Sequence, residues 1–251
     1  AKVQTVFNKQ AFVMGEEVVK FEEEVAQYIG VKHAVTCSSG TDALVLAMKG
    51  LGIGPGDEVL TPPFSFFAST SSILLAGATP VFVDIDPVTF NIDPAKLGAA
   101  VTEKTKAIMP VHLFGQCADM TPILAFAKKH NLAVVEDFAQ SIGSKYENKG
   151  AGAMGTVGAT SFYPTKNLGG AGEGGLVTTN DDAVAERLKL LRVHGMKVRY
   201  THDILGWNSR LDALQAAVLR IKLKHLNTWV ARRQQLAGQY QDLLGDLEKQ
   251  G

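Results

Sequence analysis

Short apolar strands alternate with amphipathic helices along most of this chain, and no other feature of the sequence constrains its fold so tightly. Residues 33–37, 58–61, 79–85, 106–111 and 132–135 are short apolar or β-branched runs of the length of buried strands. Between them, residues 43–51, 64–77, 91–101 and 121–130 read as helices. Strands that each return over the sheet through a helix lie parallel. The pattern therefore predicts an α/β fold, a three-layer sandwich with a mainly parallel mixed sheet covered on both faces. The ligand of such a sheet sits beyond the carboxyl ends of its strands.

The flanking segments are less regular. Residues 16–29 form an amphipathic helix stopped by Gly30, with glutamates that read as a solvated face. Residues 157–163 and 174–179 look like an antiparallel pair joined through a glycine-rich loop. A helix over 181–194 takes Asn180 or Asp181 as its cap. One long helix is expected from 211 to 244. Its basic residues, among them Arg220, Lys222, Lys224, Arg232 and Arg233, suit a solvated face or a subunit contact better than nucleic acid, since no aromatic platform accompanies them. The division expected is a large unit over 1–205 and a helical segment over 206–251 leading to a small C-terminal domain, largely absent. At the other end, residues 12–15 run into a helix with no strand before it, as if the chain were entered part-way.

Charge excludes some partners. Lys+Arg and Asp+Glu balance at 25 each, so the overall field draws neither nucleic acid nor an anionic membrane. No apolar run approaches the roughly 18–20 residues of a membrane span. Cys37 and Cys117 stand far apart, which indicates neither a zinc site nor a disulfide framework and fits a reduced, cytoplasmic protein; no metal site is expected.

Chemistry-bearing residues gather at the predicted strand ends. Lys166 follows an apolar run and precedes a glycine turn. It is either a solvated lysine or an amine shielded enough to attack an aldehyde. Ser39-Gly40-Thr41-Asp42 turns a strand into a helix. That turn serves either as a helix cap or as a seat for phosphate on free N–H groups. Asp137 ends a strand and could cap a helix, pair with a cation or bind a metal. Phe64, Phe66 and Phe67 are core, or one of them lies flat on an aromatic ring.

Four stretches, CSSGTDAL, VVEDFAQSIG, SFYPTKNLG with GEGG behind it, and GWNSRLDALQAAVL, resemble in sequence and order the DegT/StrS family of nucleotide-sugar aminotransferases. These are pyridoxal 5'-phosphate enzymes of the aspartate aminotransferase fold, whose large domain is the fold type I PLP-transferase sandwich. The resemblance covers nearly the whole chain. It implies that Lys166 forms a Schiff base with the cofactor and later carries the proton, and that Asp137 pairs with the pyridinium nitrogen. It further implies that Phe66 stacks on the ring, Gln140 bonds the 3-hydroxyl side, and Gly40, Thr41, Asp42 and Ser161 hold the phosphate. Asn208 would reach the phosphate from the partner subunit of a homodimer. The expected reaction is a ping-pong transfer of an amino group from glutamate to a nucleotide-linked keto sugar. Lysine at 166, where some relatives carry histidine and dehydrate sugars, favours transamination. The spelling SFYPTKNLG favours 3-keto over 4-keto substrates. The alternatives are a PLP-dependent sugar dehydratase or lyase, and a non-catalytic module whose pocket senses a ligand.

Overall fold

The computed structural model describes residues 2–245. Helices α1 (Lys2–Lys9) and α2 (Glu16–Ile29) come first, and α2 stops where expected, at a left-handed Gly30 (φ 87°). Next come β1 (His33–Cys37), α3 (Gly40–Gly50), β2 (Glu58–Thr61), α4 (Phe67–Leu75), β3 (Thr79–Phe82), α5 (Leu97–Ala100), β4 (Thr105–Ile108) and α6 (Met120–His130). Strand β5 (Ala133–Asp137) is followed by a hairpin of β6 (Lys145–Tyr146) and β7 (Lys149–Gly150), then β8 (Val157–Ser161), β9 (Gly175–Thr179) and α7 (Asp182–Leu191). A second hairpin, β10 (Met196–Val198) and β11 (Thr201–His202), leads to α8 (Ala213–Leu223) and α9 (Leu226–Leu244).

The main sheet has seven strands among the described residues, in the order β1-β9-β8-β5-β4-β2-β3. Pairing is parallel from β8 across to β3, while β9 runs antiparallel to both β8 and β1. The expected antiparallel pair is thus present. With β9 alone reversed in this sheet, the carboxyl ends of β1, β8, β5, β4, β2 and β3 all emerge along one edge.

Alternation along the strands sends side chains to two apolar layers. Val35, Val59, Ala107, Val135 and Val177 share a cluster with Leu46 and Met48 of α3, Ile73 of α4 and Leu188 of α7. On the other face, Ala34 and Leu176 meet Phe21 and Val25 of α2 and Ala216 and Leu219 of α8, while Leu60, Ile108 and Val134 meet Ile123 of α6. Helices therefore cover both faces of the sheet.

Three expectations need correction. The single helix over 211–244 is two: His225 N–H bonds back to Lys222 O at 2.9 Å, a tightened last turn that ends α8. Alanines of α8 lie flat in the core, whereas of α9 only Leu226 is buried. Residues 246–251, the end of the expected helical segment, lie outside the described residues. The helix over 91–101 is a 3₁₀ turn at Pro94–Lys96 running into four-residue α5, started by Asp93, whose carboxylate accepts from Ala95 N–H. Finally, the glutamates of α2 are not merely a wet face. Glu22 accepts from Arg192 and from Thr36 N–H (2.8 Å) and Oγ1 (2.7 Å), and Arg192 donates in turn to Thr36 O at 2.9 Å. Glu17 and Glu24 both bind Arg220 of α8, with Nε to Glu24 at 3.0 Å and Nη1 to Glu17 at 2.7 Å. Among the described residues no helix is long and apolar enough to cross a membrane.

These charges differ in worth. The Arg192 and Glu22 side chains are 5% and 15% exposed, against 47% and 55% for Lys20 and Glu16. Removing one partner of a shielded pair strands the other, at about 3–5 kcal/mol, whereas an exposed pair contributes about 1 kcal/mol or less. Glu22→Ala should therefore lower Tm by about 10 °C, and Lys20→Ala by about 2 °C or less, as thermal melts followed by circular dichroism will report.

Candidate active site at the carboxyl edge of the sheet

The edge where the parallel strands end collects most of the residues singled out above. The last residue of β5, Asp137, is buried, and its carboxylate accepts from Ser69 Oγ at 2.8 Å and from Ala139 N–H at 3.2 Å. Ser69 lies in the first turn of α4 and is itself linked to Ser65 Oγ at 2.9 Å. Burial pushes the Asp137 carboxyl above its ordinary range, against the pull of Ser69, Ala139, His112 and Lys166.

Lys166 is half-buried on the loop after β8, its backbone N–H closing a turn on Tyr163 O at 2.9 Å. Its neighbour Asn167 donates through Nδ2 to Gln140 O at 3.3 Å. Gln140 Oε1 accepts from Phe114 N–H at 2.9 Å, and among the described residues its Nε2 has no acceptor. Phe114 holds a left-handed backbone (φ 54°) to make that bond. Phe66, the residue before α4, is 71% exposed at the same edge, and Ser69 lies one turn further along that helix.

The Ser39–Asp42 turn caps its helix. Ser39 caps α3 through Oγ, which accepts from Asp42 N–H at 3.1 Å. Among the described residues, the preceding N–H groups of Gly40 and Thr41 have no acceptor and point out of the helix start, as an anion requires. Gly40 presses against β8 so closely that a Cβ there would sit 2.5 Å from Ser161 Cβ, which brings the Ser161 hydroxyl beside those two donors. Asp42 behaves differently. Its carboxylate accepts from Ser38 Oγ and from Ser209 Oγ (2.8 Å), so the side chain ties loops together and does not face an anion. Asn208 is exposed and immediately precedes Ser209.

An open cleft of ≈ 1350 Å³ continues from Lys166, Gln140 and Phe114 toward Tyr146 and Arg233 of α9. It is larger than a cofactor ring needs and leaves room for a bulky second ligand.

Known proteins resemble this chain along nearly its whole length. The DegT/DnrJ/EryC1/StrS aminotransferase family pattern matches residues 1–251. The chain belongs to that family. It is 54% identical over 246 residues to a pleiotropic regulatory protein of Geobacillus stearothermophilus, covering 96% of this chain and 66% of that one. It is 47% identical over 245 residues to the UDP-N-acetyl-3-dehydro-alpha-D-glucosamine 3-aminotransferase of Acidithiobacillus ferrooxidans, covering 98% of this chain and 66% of that one. The crystal structure of Streptomyces venezuelae DesV in complex with a ketimine intermediate superposes with a TM-score of 0.95 at 45% identity, covering 97% of this chain and 66% of that one. The chain thus spans about two thirds of the length of these family members.

Other residues hold the expected site residues in place without being singled out in the sequence. Ser69, Ser209 and Asn167 each hold one of the expected residues or its neighbour. Ser209 and Asn167 stand inside the stretches GWNSR and PTKN, so adjacency was the available signal. Ser69 had none, being one of several serines in an ordinary helix. A further device is the fully buried Glu136, which accepts from Gly152 N–H at 2.8 Å, Met154 N–H at 2.7 Å and His112 Nε2 at 2.9 Å. His112 Nδ1 accepts from Ala118 N–H, so the ring proton sits on Nε2.

Asp137 gives a pH-dependent test. The folded chain keeps its proton to a higher pH than the unfolded chain does. Stability therefore falls as pH rises between the unfolded and folded values and stays lowered above them. Asp137→Asn keeps the shape without the charge. In ligand-free protein it should raise Tm near neutral pH, and the gain should vanish in acid. Calorimetry across that pH range checks both halves.

Proposed function

We propose that the full protein is a pyridoxal 5'-phosphate-dependent aminotransferase that moves an amino group from glutamate to a nucleotide-linked keto sugar, of the 3-keto class, in a ping-pong reaction. The observation that supports the reading is a buried carboxyl, Asp137, at the end of β5 and a half-buried amine, Lys166, after the adjacent strand β8, with Asn167 bonded to the carbonyl of Gln140 three residues past Asp137. The residues present fit the cofactor. The cradle between Gly40 and Ser161 offers two unclaimed backbone N–H groups and a hydroxyl, a donor set for phosphate. Phe66 offers an exposed ring face, and Gln140 Nε2 a free donor.

When bound, pyridoxal phosphate supplies an aldehyde and an electron-withdrawing ring. Asp137, shielded from water, would hold a proton on the ring nitrogen, and Ser69 keeps its carboxylate aimed. Lys166 Nζ would hold the aldehyde carbon covalently and, once displaced by an incoming amine, carry a proton between the reacting carbons. Gly40, Thr41 and Ser161 would anchor the phosphate, with the Asp42 carboxylate fixing the turn they sit on. Asn208 would add a contact to the partner subunit's phosphate in a homodimer. Exposed Phe67, Leu74 and Leu75 on α4 support such an association. The cleft beyond Lys166 would take the nucleotide sugar. The 3-keto class is supported by the 47% identical relative named for that chemistry. The helical arm would lead to a second domain, with α8 on the large-domain side, since it shares a core cluster with α2.

Purified full-length protein should show an absorbance band near the visible edge that borohydride bleaches. Lys166→Ala should lose that band, and turnover of glutamate with a nucleotide-linked 3-keto sugar should fall by about 10²–10⁴-fold or more. An unchanged band would defeat the reading. Release of a product without consumption of glutamate would point to a dehydratase or lyase, and binding without turnover to a sensing module.

A further inference from the structure

We infer that Gln215 and Lys222 of α8 are positioning residues for Lys166, acting through the glycine loop that follows it. This rests on the reading of Lys166 as the amine that holds the cofactor. The loop after β8 doubles back on itself: Phe162 N–H bonds Gly174 O at 2.8 Å, and Gly170 N–H bonds Phe162 O at 2.7 Å. Those bonds close the base of the loop without fixing its outer turn. That turn is held from α8. Gln215 Oε1 accepts from Ala171 N–H at 2.7 Å, and Lys222 Nζ donates to Gly169 O.

The glycines are shaped to this clamp. A Cβ at Gly170 would stand 2.9 Å from Gln215 Oε1, and one at Gly172 2.8 Å from Gln215 Nε2. The amide therefore fits between two positions that carry no side chain. Gln215 and Lys222 are seven residues apart, two helical turns, and so share one face of α8. Leu219 lies between them on that face and, with Ala216 and Leu223 on the adjoining flank, packs in the core cluster that includes α2, while Arg220 is locked to Glu17 and Glu24. The helix is thus fixed to the fold by the side chains flanking the clamp, and the clamp fixes the loop to the helix. Lys166 lies three residues before the first clamped carbonyl, in a turn closed by its own N–H on Tyr163 O, tied by Asn167 to Gln140 and followed by Leu168, which is buried in the core. An amine that must meet an aldehyde in a defined geometry tolerates little displacement, so freeing Gly169–Ala171 should spoil its placement before it disturbs the fold.

The test compares full-length wild type with Gln215→Leu, Gln215→Glu and Lys222→Met. In cofactor-free protein, hydrogen exchange of the segment 163–172 should quicken about tenfold in Gln215→Leu, the effect of one lost hydrogen bond, with the strands unchanged. In protein loaded with pyridoxal phosphate, the pH midpoint of the lysine–cofactor band should move, and kcat should fall about tenfold or more with KM little changed. Gln215→Glu keeps an acceptor for Ala171 N–H and should restore exchange and midpoint to near wild type. A merely structural role would lower Tm in Gln215→Leu while leaving midpoint and kcat in place, and that result overturns the inference. So does a Gln215→Glu protein as defective as Gln215→Leu. Should Gln215→Leu not fold, Lys222→Met decides: a wild-type midpoint and loop exchange there refutes it. Failure of the underlying reading looks different, because wild type itself would then lack the band.

Discussion

A carboxyl group held out of water at the end of a strand dictates the arrangement of the rest. Burying Asp137 is unfavourable, and its hydrogen bonds from Ser69 and Ala139 offset only part of the desolvation, since the group still holds its proton more tightly than an ordinary carboxyl. Such a group persists where a cation will complete it. Lys166 pulls in that direction from the neighbouring loop, and a protonated ring nitrogen between them would pull harder. Energy spent on desolvating Asp137 in the bare chain is thus a measure of how strongly the edge is organised for a positive partner.

The other acids of the chain are treated in the opposite way. Glu136, next to Asp137 but facing the other layer, is surrounded by backbone N–H groups and the His112 ring. Glu22, Glu17 and Glu24 are each neutralised by an arginine reaching from α7 or α8. Full satisfaction makes these groups struts: Glu136 wraps the Gly152–Gly155 loop around β5, and the arginine pairs tie α2 to the segments that lead to Ser209 and Gln215. One carboxyl raised by burial therefore stands in a frame whose other shielded acids are paired or fully hydrogen-bonded.

Strands β1 and β2 are legible from the sequence to the residue because they are buried on both faces and bounded by turn residues. Strands β3 and β4 are shorter than their apolar runs, since the run continues into the loops that cover the sheet edge. The hairpins β6/β7 and β10/β11 are invisible to periodicity, because two- and three-residue strands have no period. The break between α8 and α9 is hidden for a different reason: apolar residues continue at helical spacing through Lys224–His225, and only the loss of a packing partner distinguishes α9. At the site, residues whose own side chains meet the edge were readable as motif members. Those that act on them from a distance in sequence, Ser69 and Gln215 above all, were not, because a hydrogen bond across the fold leaves no local spacing.

The motifs are also spelled in small residues for a physical reason. Gly40 touches Ser161 across β9, and Gly175 approaches the carbonyl of Ser39, so β1, β9 and β8 are brought together at their ends with no side chain between them. A larger residue at any of these points would part the start of α3 from the Ser161 hydroxyl, and the two free N–H groups would then face a gap too wide for one phosphate. The close approach of these strand ends is therefore built from backbone, and what the sequence must specify there is the absence of atoms. That is why CSSGTD and GEGG carry information out of proportion to their helix or strand propensity, and why a glycine at such a point is as constrained as the lysine it serves.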